Sequence, residues 1–170
     1  MNASDSTLDL SAQTEGFTIS GGAGIDTIKG GAGNDIITGS GSNDIFHIIS
    51  GTDAVTDLTT GDGFIVSASA TLNAANISGF IATNGTSNAG TANLSADNSD
   101  VTIDMRLATS GGYKITGGTG ADTFYGGAGK DTFVINTASD GTSDTFDCGA
   151  DTDTLELSKG TSTFSNNSSI

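Results

Sequence analysis

GGAGIDTIKGGAGNDIITGSGSNDIFH, residues 21–47, decides the fold. It reads as three nonapeptides in direct succession: Gly21 to Lys29, Gly30 to Thr38 and, more loosely, Gly39 to His47. In each, a glycine cluster precedes an aspartate at the sixth position and an apolar residue at the eighth: Asp26/Ile28, Asp35/Ile37, Asp44/Phe46. A repeat of fixed period specifies architecture before any other signal does. Outward from this stretch the apolar beat runs over Leu10, Ile19, Ile28, Ile37, Phe46, Val55 and Phe64, one nine-residue grid. The aspartates keep step to Asp53 and Asp62, although their glycines have thinned to Gly51 and Gly61.

A second block repeats the pattern from Gly117 to Tyr125 and from Gly126 to Val134, with Ile115 before it on the grid. After Phe133 the beat slips by four residues and resumes at Asp144/Phe146 and Asp153/Leu155, which predicts an enlarged loop around Ala138 to Thr142. The blocks are themselves copies. TLDLSAQTEGFTISGGAGIDTI from Thr7 aligns with TIDMRLATSGGYKITGGTGADTF from Thr102 after one insertion, a spacing of 96 residues between Gly21 and Gly117. A chain of this kind reads as cut from a longer tandem array. Residues 66–100 are rich in Ser, Thr, Ala and Asn, and Val101, Ile103, Met105 and Leu107 then alternate with polar residues, the period of a half-buried strand. No stretch has a helical period.

The balance of charge narrows the function. The net charge is -15, and of 20 acidic residues all but Glu15 and Glu156 are Asp. Short, rigid Asp suits turns and hard cations. So acidic a chain without a Lys/Arg cluster repels nucleic acid and anionic membranes. No apolar run approaches the ~18 residues of a membrane span, and MNASDSTLDL has none of the basic and apolar regions of a signal peptide. Cys148 is the sole cysteine, so no internal disulfide forms.

A chain that turns every nine residues must bend sharply, and the first, second and fourth positions fall in the bend. Glycine suits them because it enters positive φ without a Cβ clash. The three residues after Asp form a short strand whose middle side chain faces in. Two nonapeptides make one turn of a flattened parallel helix, with Ile19, Ile37 and Val55 stacked on one sheet and Ile28, Phe46 and Phe64 on the other. One apolar side chain per nine residues is a thin core against the entropy of ordering the backbone, and stacked aspartates repel. A hard cation answers both: Ca²⁺ takes six to eight oxygens at ~2.3–2.6 Å from carboxylates and carbonyls. Loops n and n+2 share an edge and can sandwich one ion.

GGAGIDTIK, GGAGNDIIT, GGTGADTFY and GGAGKDTFV resemble the GGxGxDxUx nonapeptide of the RTX (repeats-in-toxin) calcium-binding β-roll family. The resemblance implies an all-β, right-handed parallel β-roll or β-helix solenoid, with two β-roll blocks joined by calcium-free strands. The expected divisions are a first block at 1–65, a connection at 66–107, a second block at 108–158 and a polar tail at 159–170. It implies several Ca²⁺ ions held by Asp26, Asp35, Asp44, Asp53, Asp62, Asp122, Asp131, Asp144 and Asp153. Carbonyls would come from the loops at Gly22, Gly24, Gly31, Gly33, Gly118, Gly120, Gly127 and Gly129. Ser40 and Ser42 depart from the pattern, standing where the third copy should have glycine. The family also implies type I secretion from a Gram-negative bacterium and folding outside the cell.

Other readings of these residues are weaker. A flexible linker would keep no Asp register. GGAGIDTI lacks the Lys-Ser/Thr of a phosphate loop, and no EF-hand run occurs. His47 falls at an outward strand position, and Cys148 offers it no partner. The acidic run Asp140, Asp144, Asp147, Asp151, Asp153 reads equally as an extra metal site or a solvated edge. No catalytic constellation is visible, so the chain is expected not to be an enzyme. The expected function is a structural calcium-binding module of a secreted cell-surface protein, a surface-layer subunit or adhesin, that folds and assembles with neighbouring copies when Ca²⁺ binds. The alternative is the carboxyl-terminal secretion and folding module of a type I-secreted hydrolase. Asp57, off the grid, is expected to matter little.

Overall fold

A computed structural model describes residues 4–135 and 144–157. Every strand pairing in it is parallel, and no described residue is helical, so no helix is long and apolar enough to cross a membrane. Parallel neighbours need a crossover between them; here the crossover is the strand on the opposite face, and the chain winds as a solenoid.

One face is a single sheet of eight strands running the whole described length. It begins with β2 (Thr18–Gly22), β4 (Ile36–Ser40), β6 (Gly51–Val55) and β8 (Ala70–Ile77). It continues with β11 (Thr91–Ala96), β13 (Lys114–Thr116), β15 (Thr132–Ile135) and β17 (Thr154–Leu157). The other face is two sheets. The first holds β1 (Ser6–Asp9), β3 (Asp26–Lys29), β5 (Ile45–Ile48), β7 (Gly63–Val66) and β10 (Ser87–Asn88). The second holds β9 (Phe80–Ile81), β12 (Thr102–Asp104), β14 (Thr123–Tyr125) and β16 (Thr145–Asp147). The changeover falls in one wider turn, where β9 opens the new sheet before β10 closes the old one.

The core is a pair of side-chain columns. In the long sheet Ile19, Ile37, Val55, Ala74, Leu94, Ile115, Phe133 and Leu155 pair successively in register. Opposite them stand Leu8, Ile28, Phe46 and Phe64, then Phe80, Ile103, Phe124 and Phe146. Phe64 and Phe80 stack with centroids 5.7 Å apart, which carries the second column across the break between sheets. The expected stacking of Ile19/Ile37/Val55 and Ile28/Phe46/Phe64 is therefore observed. Residues 66–100 continue the solenoid as strands.

Leu10 is a correction. The register partner of Ile28 is Leu8, because the turn from β1 to β3 is 20 residues long, whereas β3 to β5 is 18. The extra residues lie in the exposed stretch before Phe17, and Leu10 only packs against the margin of the core. Turn length drifts upward again in the centre: Val55 to Ala74 spans 19, Leu94 to Ile115 spans 21 and Phe80 to Ile103 spans 23. The loop expected around Ala138 to Thr142 and the whole polar tail expected from residue 159 lie outside the described residues, as does Asp140.

Candidate metal centre

The aspartates after each glycine loop stand at the inner corner where loop becomes strand. In β3 the alternation puts Asp26 and Ile28 on the same inward side, both 0 % exposed. Period-two geometry thus forces the carboxylate into the interior together with the core residue two positions on. Asp35, Asp44, Asp53, Asp62, Asp122 and Asp131 are likewise buried, and Asp144 and Asp153 are half-buried.

All nine use one oxygen in the same way: Oδ1 accepts the backbone N–H of the corresponding residue one turn earlier. On one edge Ser6 donates to Asp26, Asp26 to Asp44 and Asp44 to Asp62, each at 2.8 Å. On the other, Phe17 donates to Asp35 at 2.8 Å and Asp35 to Asp53 at 2.9 Å. The second block repeats the scheme. Val101 donates to Asp122 and Asp122 to Asp144, both at 3.0 Å, while Tyr113 donates to Asp131 at 2.8 Å and Asp131 to Asp153 at 2.9 Å. Phe17 and Tyr113, 96 residues apart, open equivalent ladders, so the long repeat of the sequence is a repeat of hydrogen bonding.

The second oxygens differ. Oδ2 of Asp35, Asp122 and Asp131 accepts the N–H of Gly31, Gly118 and Gly127 in its own loop, at 2.9–3.1 Å. Oδ2 of Asp62 is held by the N–H and hydroxyl of Thr59. Oδ2 of Asp26 and of Asp53 is buried without any hydrogen-bond partner. Unpaired buried acceptors are rare, and each calls for an explanation such as an ion.

The leading glycine of each repeat makes room for this oxygen. A Cβ on Gly21 would lie 2.5 Å from Asp26 Oδ2 and 2.6 Å from the Gly39 carbonyl oxygen of the next turn. Gly30, Gly39, Gly117 and Gly126 face the Oδ2 of Asp35, Asp44, Asp122 and Asp131 in the same way. Their φ angles are ordinary, so space for a carboxylate, and not positive φ, explains the first glycine; the sequence argument missed this. Positive φ is found at Gly22, Gly120 and Gly129 among the loop glycines assigned to the site. Ser40 (φ 87°) and Ser42 (φ 76°) adopt it too, so the third loop keeps its shape without glycine.

The remaining assigned glycines are contact points between stacked loops. Gly24, Gly31 and Gly33 abut the backbone of Ser4–Asp5, Leu10/Gln13 and Glu15–Gly16. Gly118, Gly120, Gly127 and Gly129 abut Asp97, Ser99–Asp100, Met105 and Gly111–Gly112. The Gly22 and Gly127 carbonyls accept the N–H of Gly41 and Ala150. Asp57 is not idle: its carboxylate accepts the N–H of Gly39 at 3.0 Å and of Ser40 at 2.7 Å, steadying the loop that lacks its glycines.

Electrostatically the columns are unbalanced. The ion pairs among the described residues are Lys29–Asp9, Arg106–Asp104 and Lys114–Glu156, and none touches the seven fully buried aspartates. Burial pushes the carboxyls of Asp53 and Asp131 up to about 6, with the adjacent carboxylates Asp35 and Asp153 adding to it. Burial likewise raises Asp44, Asp62 and Asp122 above the usual carboxylate range. Among the described residues no three His, Cys, Asp or Glu side chains converge, so an ion here must draw its other oxygens from the loops' backbone. The donor set is all oxygen, with anionic charge in excess, and it fits a hard cation. His47 is half-buried on the outer side of β5, beside Lys29 in register, and takes no part.

The slot held by aspartate is filled elsewhere by carbon. Asp53 pairs in register with Leu72, and Leu72 with Ala92. Asn93 pairs with Lys114, so Ala92 and Tyr113, the residues before them, continue the slot.

Fold and site together define a parallel β-solenoid with stacked carboxylates along its corners, seven of them buried without a cation among the described residues. Residues 18–47 and 114–134 match the family model of the RTX calcium-binding nonapeptide repeat in four copies, and these repeats indicate a Ca²⁺-binding structural module. No curated protein and no solved structure gives a significant match to it.

Proposed function

We propose that the chain is a calcium-conditioned structural module of a secreted cell-surface protein, a surface-layer subunit or adhesin of a Gram-negative bacterium exported by type I secretion. The observation that carries it is the set of seven buried aspartates with no cationic partner among the described residues. A buried charge is tolerated only when paired or bound to metal. In low calcium the aspartate-bearing turns lose that compensation and the chain stays export-competent; outside, Ca²⁺ closes them.

In this reading the ions sit between loops of adjacent turns. Asp26, Asp44 and Asp62 serve one edge and Asp35 and Asp53 the other; Asp122/Asp144 and Asp131/Asp153 serve the second block. Carbonyl oxygens come from Gly22, Gly24, Gly31, Gly33, Gly118, Gly120, Gly127 and Gly129. The open edges of β2 and β17, which end the long sheet among the described residues, support pairing with neighbouring copies.

Calorimetric Ca²⁺ titration beside circular dichroism tests the reading. Several ions should bind with a gain of strand signal, and light scattering should then rise at high protein concentration and fall on chelation. Absence of Ca²⁺ binding would overturn the module. Binding by a strict monomer would instead favour the folding module of a secreted hydrolase.

A further inference from the structure

The central turns bury a different kind of interior from their neighbours. Residues 18–62 bury five aspartates without a cation, whereas between 66 and 121 the one buried carboxylate is Asp104, paired with Arg106 at 2.6 Å. The slot that holds Asp35 and Asp53 in the first block holds Leu72 and Ala92 here, and Val101 stands where the next turn has Asp122. Leu72, Ile77, Phe80, Leu94, Ile103 and Met105 are all at most 1 % exposed.

Polar groups in this stretch are satisfied by the protein itself. Asn88 Nδ2 donates to the Gly112 carbonyl at 2.6 Å, and its Oδ1 accepts the Gly90 N–H at 3.0 Å. Asn93 donates to Asn73 at 2.8 Å across adjacent turns of the long sheet. Both orphaned oxygens, on Asp26 and Asp53, lie outside it. Phe64 stacks on Phe80 and meets Tyr113 edge-on with centroids 6.2 Å apart, closing the wide turn where the sheets change over.

We propose that β8 to β12, residues 70–104, form a calcium-independent nucleus that stays folded when metal is withdrawn. The aspartate-bearing turns on either side fold onto its strand edges, β6 against β8 and β13 against β11, only when ions are present. This narrows calcium dependence from the whole chain to its flanks, and it rests on the reading of the aspartate columns as Ca²⁺ sites. The nucleus contains no orphaned side-chain acceptor and no uncompensated buried charge, so a divalent cation has no ligand to lose within it. What it loses when the flanks open are bonds at its rim, such as Val101 N–H to Asp122 and Asn88 to Gly112.

Amide exchange of the whole chain, in saturating Ca²⁺ and in chelator at neutral pH, tests the proposal. In chelator, amides of β3 to β6 and of β14 should lose at least a hundredfold in protection, while those of Leu72, Ala74, Leu94 and Ile103 should stay within tenfold. Central and flanking amides losing protection together would overturn the nucleus and leave the calcium reading standing. Flanks equally protected in both conditions would overturn both.

Discussion

Replacing Asp53 by Asn tests the electrostatic argument at one buried atom. Asp53 is 0 % exposed; Oδ1 accepts the Asp35 N–H and Oδ2 has no partner. Asn keeps the shape and the Oδ1 acceptor and removes the charge. The folded carboxyl is raised to about 6 from 3.8, so the metal-free fold holds its proton more tightly than the unfolded chain does. Metal-free stability is then full below pH 3.8, falls as pH rises to 6 and is flat above. At pH 7 the charge costs the metal-free fold at most about 3 kcal/mol. The amide puts an unpaired donor where an unpaired acceptor stood, a near exchange of like penalties. Asp53→Asn should therefore stabilise the β6 turn in chelator by about 2–3 kcal/mol at pH 7 and hardly at all at pH 4. The readout is amide protection at Ala54 and Thr56, whose N–H groups donate to Asp35 and Ile37 of the previous turn. Protection should rise roughly 30- to 150-fold at pH 7, since each factor of ten is about 1.4 kcal/mol. In calcium at about 100 Kd the gain should vanish, because losing one site forfeits about 2.7 kcal/mol and offsets it. Reduced protection in chelator at pH 7, or an equal rise at pH 4 and pH 7, would refute the reasoning.

Gly21→Ala should cost about 1–3 kcal/mol by overpacking and abolish one site in a calcium titration, because the new methyl meets Asp26 Oδ2 and the Gly39 carbonyl. Gly41→Ala, whose Cβ would find its nearest atom at 3.8 Å, should leave the titration unchanged. Asp44→Ala should weaken more than one ion, since Asp44 stands in register between Asp26 and Asp62. Asp57→Ala should lower stability by about 1 kcal/mol through the freed N–H groups of Gly39 and Ser40, with calorimetric stoichiometry unchanged.

The aspartates and the core were readable because both obey a strict period. Two nonapeptides make an 18-residue turn, so Ile28, Phe46 and Phe64 fall in register by counting. Asp144 and Asp153 survive a four-residue slip because the hydrogen bond to the turn before fixes their register. Counting fails where loop length is free. Leu10 lost its place to Leu8 over two extra loop residues, and the changeover at Phe80 has no signature in a nine-residue grid. The leading glycines were legible as necessary but not for the right reason, since sequence shows a missing Cβ and not the carboxylate that takes its space. Asp57 was illegible because its partners are backbone N–H groups, which leave no residue-type signal.

The long sheet runs through every turn as one hydrogen-bonded rail, and the strands lie across its axis. Pulled from its ends, such a body is unzipped from its termini, with each turn released whole as its edge ladder tears. An 18-residue turn pays out roughly 60 Å of slack and a 22-residue turn roughly 75 Å, at about 3.4 Å per residue. The lengths of the loops therefore set the step size of unzipping, and the carboxylate or carbon in each slot sets how hard that step is to pull.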